Sequence, residues 1–353
     1  MKLNRSSVSW LILAAFSVVF LPSSMSAAPP TADKPWRALH VISYTNDARL
    51  EALEKQLPQL AKMGINCLIL EVNYGFEFES HPELRGGDRQ ITKAGARHLL
   101  QVCRENGIEL VPQFMCLGHQ SWAGNTQPLL VKYPELDLTP GAFPGNKGIY
   151  CREWDPMNPK TNEIIFALID ELIAAFEAKA FHVGMDEVFL LHSEHAPSTK
   201  NMNPADVFAK VVTELHGHIA GKHRLTMLMW ADRLIDGDEF NMGEWEASKV
   251  GTAPAVDKIP KDIILCPWHY EPREKYESVP MLMSKGFRVL PASWKNTEAT
   301  LALVRYSRSN QVEDRLVGHI FTTWSQPKGS FGEFEPLVKG LALLQEPAEK
   351  QAK

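Results

Sequence analysis

Phe181-His182-Val183-Gly184-Met185-Asp186-Glu187-Val188 is a short apolar run that ends in two adjacent carboxylates. Packing alone gives no reason to end a buried strand this way, because desolvating an unpaired charge costs several kcal/mol or shifts its pKa. At the C-terminal end of a barrel strand, a pair of acids reads as chemistry. The plainer alternative is a strand end where two acids meet water. The remaining sequence weighs between the two.

Seven further apolar, β-prone runs surround this one: Ala38–Ser43, Ile65–Val72, Ile108–Phe114, Leu225–Trp230, Ile263–Tyr270, Phe287–Trp294 and Leu316–Trp324. Most are near-continuous hydrophobic stretches, as parallel strands covered on both faces require. Helical punctuation separates most of them. Ala48–Met63 is amphipathic and stops before Gly64, and Thr92 can cap a segment ending at Gly107. In the segment from Asn162 to Ala178, Ile165, Leu168, Leu172, Ile173 and Phe176 share one helical face. Pro204 opens another helix that runs to about Gly221.

Eight strands alternating with helices predict an α/β fold, a (β/α)8 TIM barrel forming a single catalytic domain over residues 33–346. A doubly wound open sheet is the competing fold, but Ser43-Tyr44-Thr45-Asn46 offers no glycine-rich phosphate loop after the first strand. The longest irregular stretch, from about Gly118 to Pro159, carries Trp122, Tyr133, Tyr150 and Trp154 and is expected to wall a pocket.

The termini and composition narrow the setting. Lys2 and Arg5 precede an apolar run from Val8 to Leu21, then small residues from Ser23 to Ala28, the pattern of a signal peptide over residues 1–26. An uncleaved anchor is the alternative, but the run is short for a spanning helix. Residues 347–353 read as a C-terminal tail. The chain is expected to be secreted or periplasmic, without stable membrane association after cleavage. A net charge of −5, or −7 without Lys2 and Arg5, disfavours nucleic acid as a partner. The five cysteines are odd in number and lack metal-ligand spacing, so neither a disulfide framework nor a metal is expected. No cofactor is implied, and the sequence leaves the oligomeric state open.

The strand ends form an unusual set. The second ends in Glu71, the third runs into Gly118-His119, the fourth ends in Asp186-Glu187, and the fifth in Trp230-Ala231-Asp232. The sixth ends Trp268-His269-Tyr270, the seventh at Trp294 and the eighth at Trp324. Four successive strands ending with tryptophan depart from the Val, Ile and Leu that fill barrel interiors. Flat aromatic faces suit the apolar faces of a sugar ring, with acids holding its hydroxyls. Glycosidic cleavage needs a proton donor and something to meet the positive charge at the anomeric carbon. Glu187 and Asp186 can divide those roles. The seventh strand has no acid and the fifth only Asp232, which favours a substrate that supplies its own nucleophile.

At this point the motifs resemble a known family. His182-Val183-Gly184-Met185-Asp186-Glu187 resembles the His-x-Gly-x-Asp-Glu signature of glycoside hydrolase family 20, the β-N-acetylhexosaminidases. The stretch from Gly107 to His119 is similar to that family's third-strand motif ending in Gly-His, in the form found in the hexosaminidase D-like branch. Gly318 to Ser325 is similar to that branch's eighth strand. The resemblance covers most of residues 37 to 330. It implies exo-acting, retaining hydrolysis of terminal N-acetylhexosamine residues, in which the acetamido oxygen attacks the anomeric carbon and forms an oxazolinium intermediate. By position, Glu187 is implied as general acid and later base, and Asp186 as the group orienting the acetamido nitrogen. Tyr270 is implied to hydrogen-bond the acetamido oxygen. Trp230, Trp268, Trp294 and Trp324 would wall the sugar site with Asp232, while His119 and His182 support the acid.

The sequence also departs from that pattern. Gln113 and Met115 stand where many members carry an acid. Arg49 is the nearest candidate for an arginine that grips sugar hydroxyls after the first strand, and Ser325-Gln326 follow the eighth-strand tryptophan. The glucosamine or galactosamine preference, the linkage and the strength of the activity stay open. Two rival readings remain: a barrel that binds amino sugars without cleaving them, and a glycosidase using Asp232 or Glu71 as nucleophile. Strand alternation raises one further problem. Neighbouring residues point to opposite faces, so both acids reach one pocket only if the strand ends or twists between them.

Overall fold

The computed structural model describes residues 30–31, 33–324 and 329–346. The expected signal segment, the 347–353 tail and Ser325-Gln326 lie outside the described residues. Eight barrel strands follow in chain order. They are β1 (Trp36–Val41), β2 (Cys67–Glu71), β3 (Glu109–Cys116), β4 (Ala180–Gly184), β5 (Thr226–Trp230), β6 (Ile264–Cys266), β7 and β8 (Gly318–Thr323). β7 is two short pieces, Arg288–Val289 and Ala292–Ser293, separated by Leu290 and Pro291. All neighbours pair in parallel. The two pieces of β7 close the ring: the first pairs with β6 and the second with β8. Pro291 lacks an N–H, so the ladder is interrupted there, although its carbonyl still accepts from Ile320 at 2.8 Å. The architecture is the expected TIM barrel.

Period-two alternation sorts the strand side chains. Leu39, Leu68, Leu70, Leu110, Phe114, Phe181, Val183, Met227, Met229 and Phe321 point outward into the large core beneath the helices. Ala38, Cys67, Ile69, Val111, Ala180, Leu228, Ile264, Cys266, Leu290 and Ile320 fill the barrel interior. All five cysteines are free and buried. At roughly 25 cal/mol per Å² of apolar surface, these two layers supply the main stabilising term.

The outer helices include Lys93–Glu105, Pro159–Ala175, Pro204–His216, Thr297–Ser309 and Glu335–Gln345. Thr92 caps the first through its side chain, accepting from Gly95 N–H. The expected single helix over Ala48–Met63 is two, Asp47–Glu54 and Leu57–Met63, because Pro58 at the start of the second interrupts the ladder. The helix opened by Pro204 runs to His216 and then widens into a π-turn, Gly217–Lys222.

Two long excursions rise on the C-terminal side of the barrel. The one after β3 carries a small hairpin, Ser121–Trp122 with Asn125–Thr126. Arg152 ties it together, donating to Asn146 Oδ1, Asp137 Oδ2 and the carbonyls of Ala142 and Phe143. Between β5 and β6 the described elements are only two 3₁₀ turns, Asp232–Leu234 and Ala253–Asp257.

Candidate active site

β4 is shorter than the sequence run suggests. It ends at Gly184, and Gly184, Met185 and Glu187 all have positive φ, at 68°, 76° and 53°. These left-handed turns break strand alternation, so Asp186 and Glu187 reach the same side. Glycine is needed at 184 on two counts: its φ, and a Cβ there would lie 2.7 Å from Met115 Sδ. Gly118 serves the same turn from β3, because a Cβ would meet the Asp186 carbonyl at 3.0 Å.

His119 stands between the acids. Its Nε2 lies 3.3 Å from Asp186 Oδ2 and 3.1 Å from Glu187 Oε2. Burial alone would lower the imidazole's pKa, but the Asp186 charge and the oxygens of both acids raise it well above its ordinary value. A protonated His119 therefore offsets the repulsion of two adjacent carboxylates.

Asp232 fastens the acid turn from below. Its Oδ2 accepts the Glu187 backbone N–H at 2.9 Å and Arg233 Nε at 2.7 Å, and its Oδ1 accepts Trp268 Nε1 at 3.3 Å. Asp232 and Arg233 are both fully buried. Burial pushes Asp232 up to about 6 against the pull of Arg233, which leaves it ionised at neutral pH. With both oxygens engaged, this carboxylate acts as an anchor and is badly placed to attack a sugar. Arg233 continues the chain of contacts by donating to the carbonyls of Glu244, Trp245 and Ala247.

The tryptophans form one side of a cup. Trp268 stacks on Tyr270 at 4.9 Å between ring centroids, and Tyr270 meets Trp294 edge-on at 5.6 Å. Trp324 donates its indole N–H to Tyr270 Oη at 2.5 Å and packs on Trp230 at 5.7 Å. Trp230 lies deepest, against His182 at 4.6 Å. His182 is fully buried. Its Nδ1 accepts the Gly184 N–H at 3.0 Å, and burial pushes its pKa well down, so it is neutral.

A polar floor lies beneath. His40, Glu71, Gln113 and His182 continue the inward-facing positions of β1 to β4. Burial lowers His40 to about 4 and raises Glu71 to about 7. Glu71 accepts from Asn73 at 2.9 Å and from Gln113 at 3.1 Å. Both ring nitrogens of His40, Gln113 Oε1, His182 Nε2, Trp230 Nε1 and Asp186 Oδ1 are buried without a hydrogen-bond partner among the described residues. Each such atom costs about 1–3 kcal/mol, so their concentration marks a place built to receive polar groups.

The opposite rim comes from the two excursions. Trp122 and Trp245 are 57% and 44% exposed, and each packs on Tyr150, at 5.5 and 4.8 Å. Tyr150 in turn meets His119 at 5.8 Å. Trp154 and Tyr133, expected with this wall, lie elsewhere. Trp154 is a core residue, while Tyr133 bonds Glu83 and carries Lys160 over its ring. Arg49 donates to Ser43 O, just past the C-terminal end of β1, where both residues are exposed.

The sequence reading did not single out His40, Arg233 or Trp245. His40 was accessible as an inward-parity polar residue beside Glu71 and Gln113. Arg233 was legible only as the cation next to Asp232, and Trp245 carried no local signal, because its role rests on contacts to Tyr150 and Phe189.

Comparison with known proteins agrees with the barrel fold. The chain is 22% identical to a β-hexosaminidase of Emericella nidulans over 290 residues, covering 73% of this chain and 43% of that protein. It is 22% identical to hexosaminidase D of Bos taurus over 194 residues, covering 52% and 51%. The chain thus spans about half or less of the length of these relatives. Among solved structures, the chitobiase of Flavobacterium johnsoniae superposes with a TM-score of 0.65 at 18% identity, covering 90% of this chain and 50% of that one. An exo β-N-acetylglucosaminidase of Vibrio harveyi gives 0.61 at 14%, covering 90% and 56%. Residues 37–326 match the description "Glycosyl hydrolase family 20, catalytic domain", and with that span covered the chain belongs to glycosyl hydrolase family 20.

Proposed function

We propose that this protein is an exported, exo-acting β-N-acetylhexosaminidase that removes terminal N-acetylhexosamine residues with retention, using the substrate's own acetamido group. One observation carries the reading. Asp186 and Glu187 converge on His119, Asp186 Oδ1 is a buried acceptor without a partner among the described residues, and the neighbouring acids Glu71 and Asp232 are both engaged from within. The acid pair therefore has no facing carboxylate free to attack.

In this reading the sugar lies in the cup of Trp230, Trp268, Trp294 and Trp324. Asp186 accepts the acetamido N–H and strengthens the carbonyl oxygen as a nucleophile. Tyr270 receives the Trp324 N–H, which leaves its own hydroxyl proton to hold that oxygen in line. The oxygen attacks the anomeric carbon while Glu187 protonates the departing glycosidic oxygen. Water then enters, gives its proton to Glu187, and opens the oxazolinium ring with a second inversion. Trp122, Tyr150 and Trp245 border the side from which Glu187 works, where an aglycone sugar would stack. The basic start, apolar run and small residues of positions 1–28 support export to the periplasm or medium, with the catalytic domain over residues 33–346.

Hydrolysis of a 4-nitrophenyl N-acetylglucosaminide and its galactosaminide tests the proposal. Glu187→Gln should lower kcat by about 10²–10⁴, with a smaller loss for a better leaving group. Asp186→Asn should weaken binding of a thiazoline mimic of the cyclic intermediate. A deacetylated substrate turned over as fast as the acetylated one would refute substrate assistance. A binding-only barrel is the second reading, favoured by Arg49 being spent on Ser43 O. It predicts amino-sugar binding with no turnover of either substrate.

A further inference from the structure

A second group of ligating side chains lies at the other end of the molecule. Asp170 projects from the helix Pro159–Ala175, His218 lies within the π-turn Gly217–Lys222, and His223 directly follows it. Both imidazole Nε2 atoms lie 2.6 Å from the same oxygen, Asp170 Oδ1. The three donor atoms all fall within 4.8 Å of one another. We propose that Asp170, His218 and His223 bind a borderline divalent cation of the zinc type, as a structural clamp separate from the acid pair.

The π-turn is what makes the trio. Residues five apart on an α-helix sit on different faces. Here the His223 N–H donates to the His218 carbonyl, five residues back, at 3.3 Å, and the wider turn brings the two rings to 5.2 Å. Such single π-turns within helices concentrate at functional sites. Phe166 stacks on His218 at 4.1 Å with an interplanar angle of 13°, which fixes that ring's direction. Lys222 Nζ takes the other carboxylate oxygen at 2.7 Å, leaving Oδ1 as the single carboxylate donor.

Two imidazoles and one carboxylate suit zinc and its neighbours in the first transition row, with water completing the coordination. The place in the fold indicates the purpose. The chain passes from the π-turn into the N-terminal end of β5, whereas Asp186 and Glu187 lie beyond the C-terminal end of β4. A cation there would staple the helix Pro159–Ala175 to the segment leading into β5 and stabilise the barrel without taking part in hydrolysis.

The full chain, stripped with a chelator and titrated with zinc chloride by calorimetry, tests this. One equivalent should bind at micromolar or tighter affinity, and the melting temperature should rise with zinc concentration. His218→Ala and His223→Ala should each weaken binding at least tenfold and remove the thermal shift. His119→Ala should leave binding unchanged, which separates this site from the acid pair. Lys222→Met should bind as tightly or more tightly. His223→Ala is the safer variant, since His223 is more exposed than His218. Absence of stoichiometric binding, binding retained in the doubly substituted histidine variant, or binding lost with His119 would each overturn the proposal.

Discussion

Asp232→Asn is the most informative single change, because Asp232 holds the acid turn, a tryptophan of the cup and a buried arginine at once. An asparagine of the same shape can keep two of the three contacts. With its oxygen in the Oδ2 position, it still accepts from Glu187 N–H and Arg233. Its amide NH₂ then faces the Trp268 indole N–H, donor against donor. Arg233, fully buried, also loses its counter-ion. Removing one partner of a buried ion pair costs roughly 3–5 kcal/mol, and the retained hydrogen bonds place this change near the lower end, about 3 kcal/mol. The melting temperature should then fall by roughly 4–5 °C. Loosening of the Glu187 turn should lower kcat by about 10²-fold, the scale of an ångström-sized misplacement. Thermal melts paired with steady-state hydrolysis of the 4-nitrophenyl substrate measure both effects. Unchanged stability with wild-type kcat would show that the anchor does nothing. Unchanged stability with a far larger kcat loss that azide restores would make Asp232 the nucleophile, against the mechanism proposed above.

Two other outcomes follow from the same geometry. Burial raises Glu71 from 4.5 to about 7, so between these values the folded state binds more protons than the unfolded state, and stability falls as pH rises through that window. Glu71→Gln should remove this slope and gain up to about 3 kcal/mol at pH 8 relative to pH 4.5, as read by denaturant melts at both; Gln113, whose Oε1 has no hydrogen-bond partner among the described residues, can turn its amide to suit. An undiminished slope would mean that Glu71 is not its source. Trp122→Ala and Trp245→Ala should each raise KM for an oligosaccharide about 2- to 10-fold, the worth of one aromatic contact, while leaving kcat on the small aryl substrate unchanged; an equal effect on both substrates would remove the rim from the aglycone side.

The sequence by itself determined the architecture and much of the site's chemistry. Continuous apolar runs separated by capped helices are local patterns, and each of the eight named runs carries a barrel strand. The tryptophans at the ends of four successive strands, and Asp186-Glu187 after the fourth, were legible for the same reason: in a barrel, strand ends share one face. Tertiary structure alone decided how the acids are aimed. Alternation along β4 would have sent Asp186 and Glu187 to opposite sides, and only the left-handed turns at Gly184, Met185 and Glu187 bring them together. Those turns depend on close approach of Met115 and Gly118 and on the Asp232 carboxylate, all of them 45 or more positions from Glu187. Trp154 shows the same limit from the other side: an aromatic in a long loop reads as a pocket wall, and packing places it in the core. The Asp170, His218 and His223 cluster was equally hidden, because its ligands share no helical period until a π-turn changes the pitch. Strand and helix periods are written residue by residue, whereas the aim of a side chain past the end of an element is set by what packs against the turn.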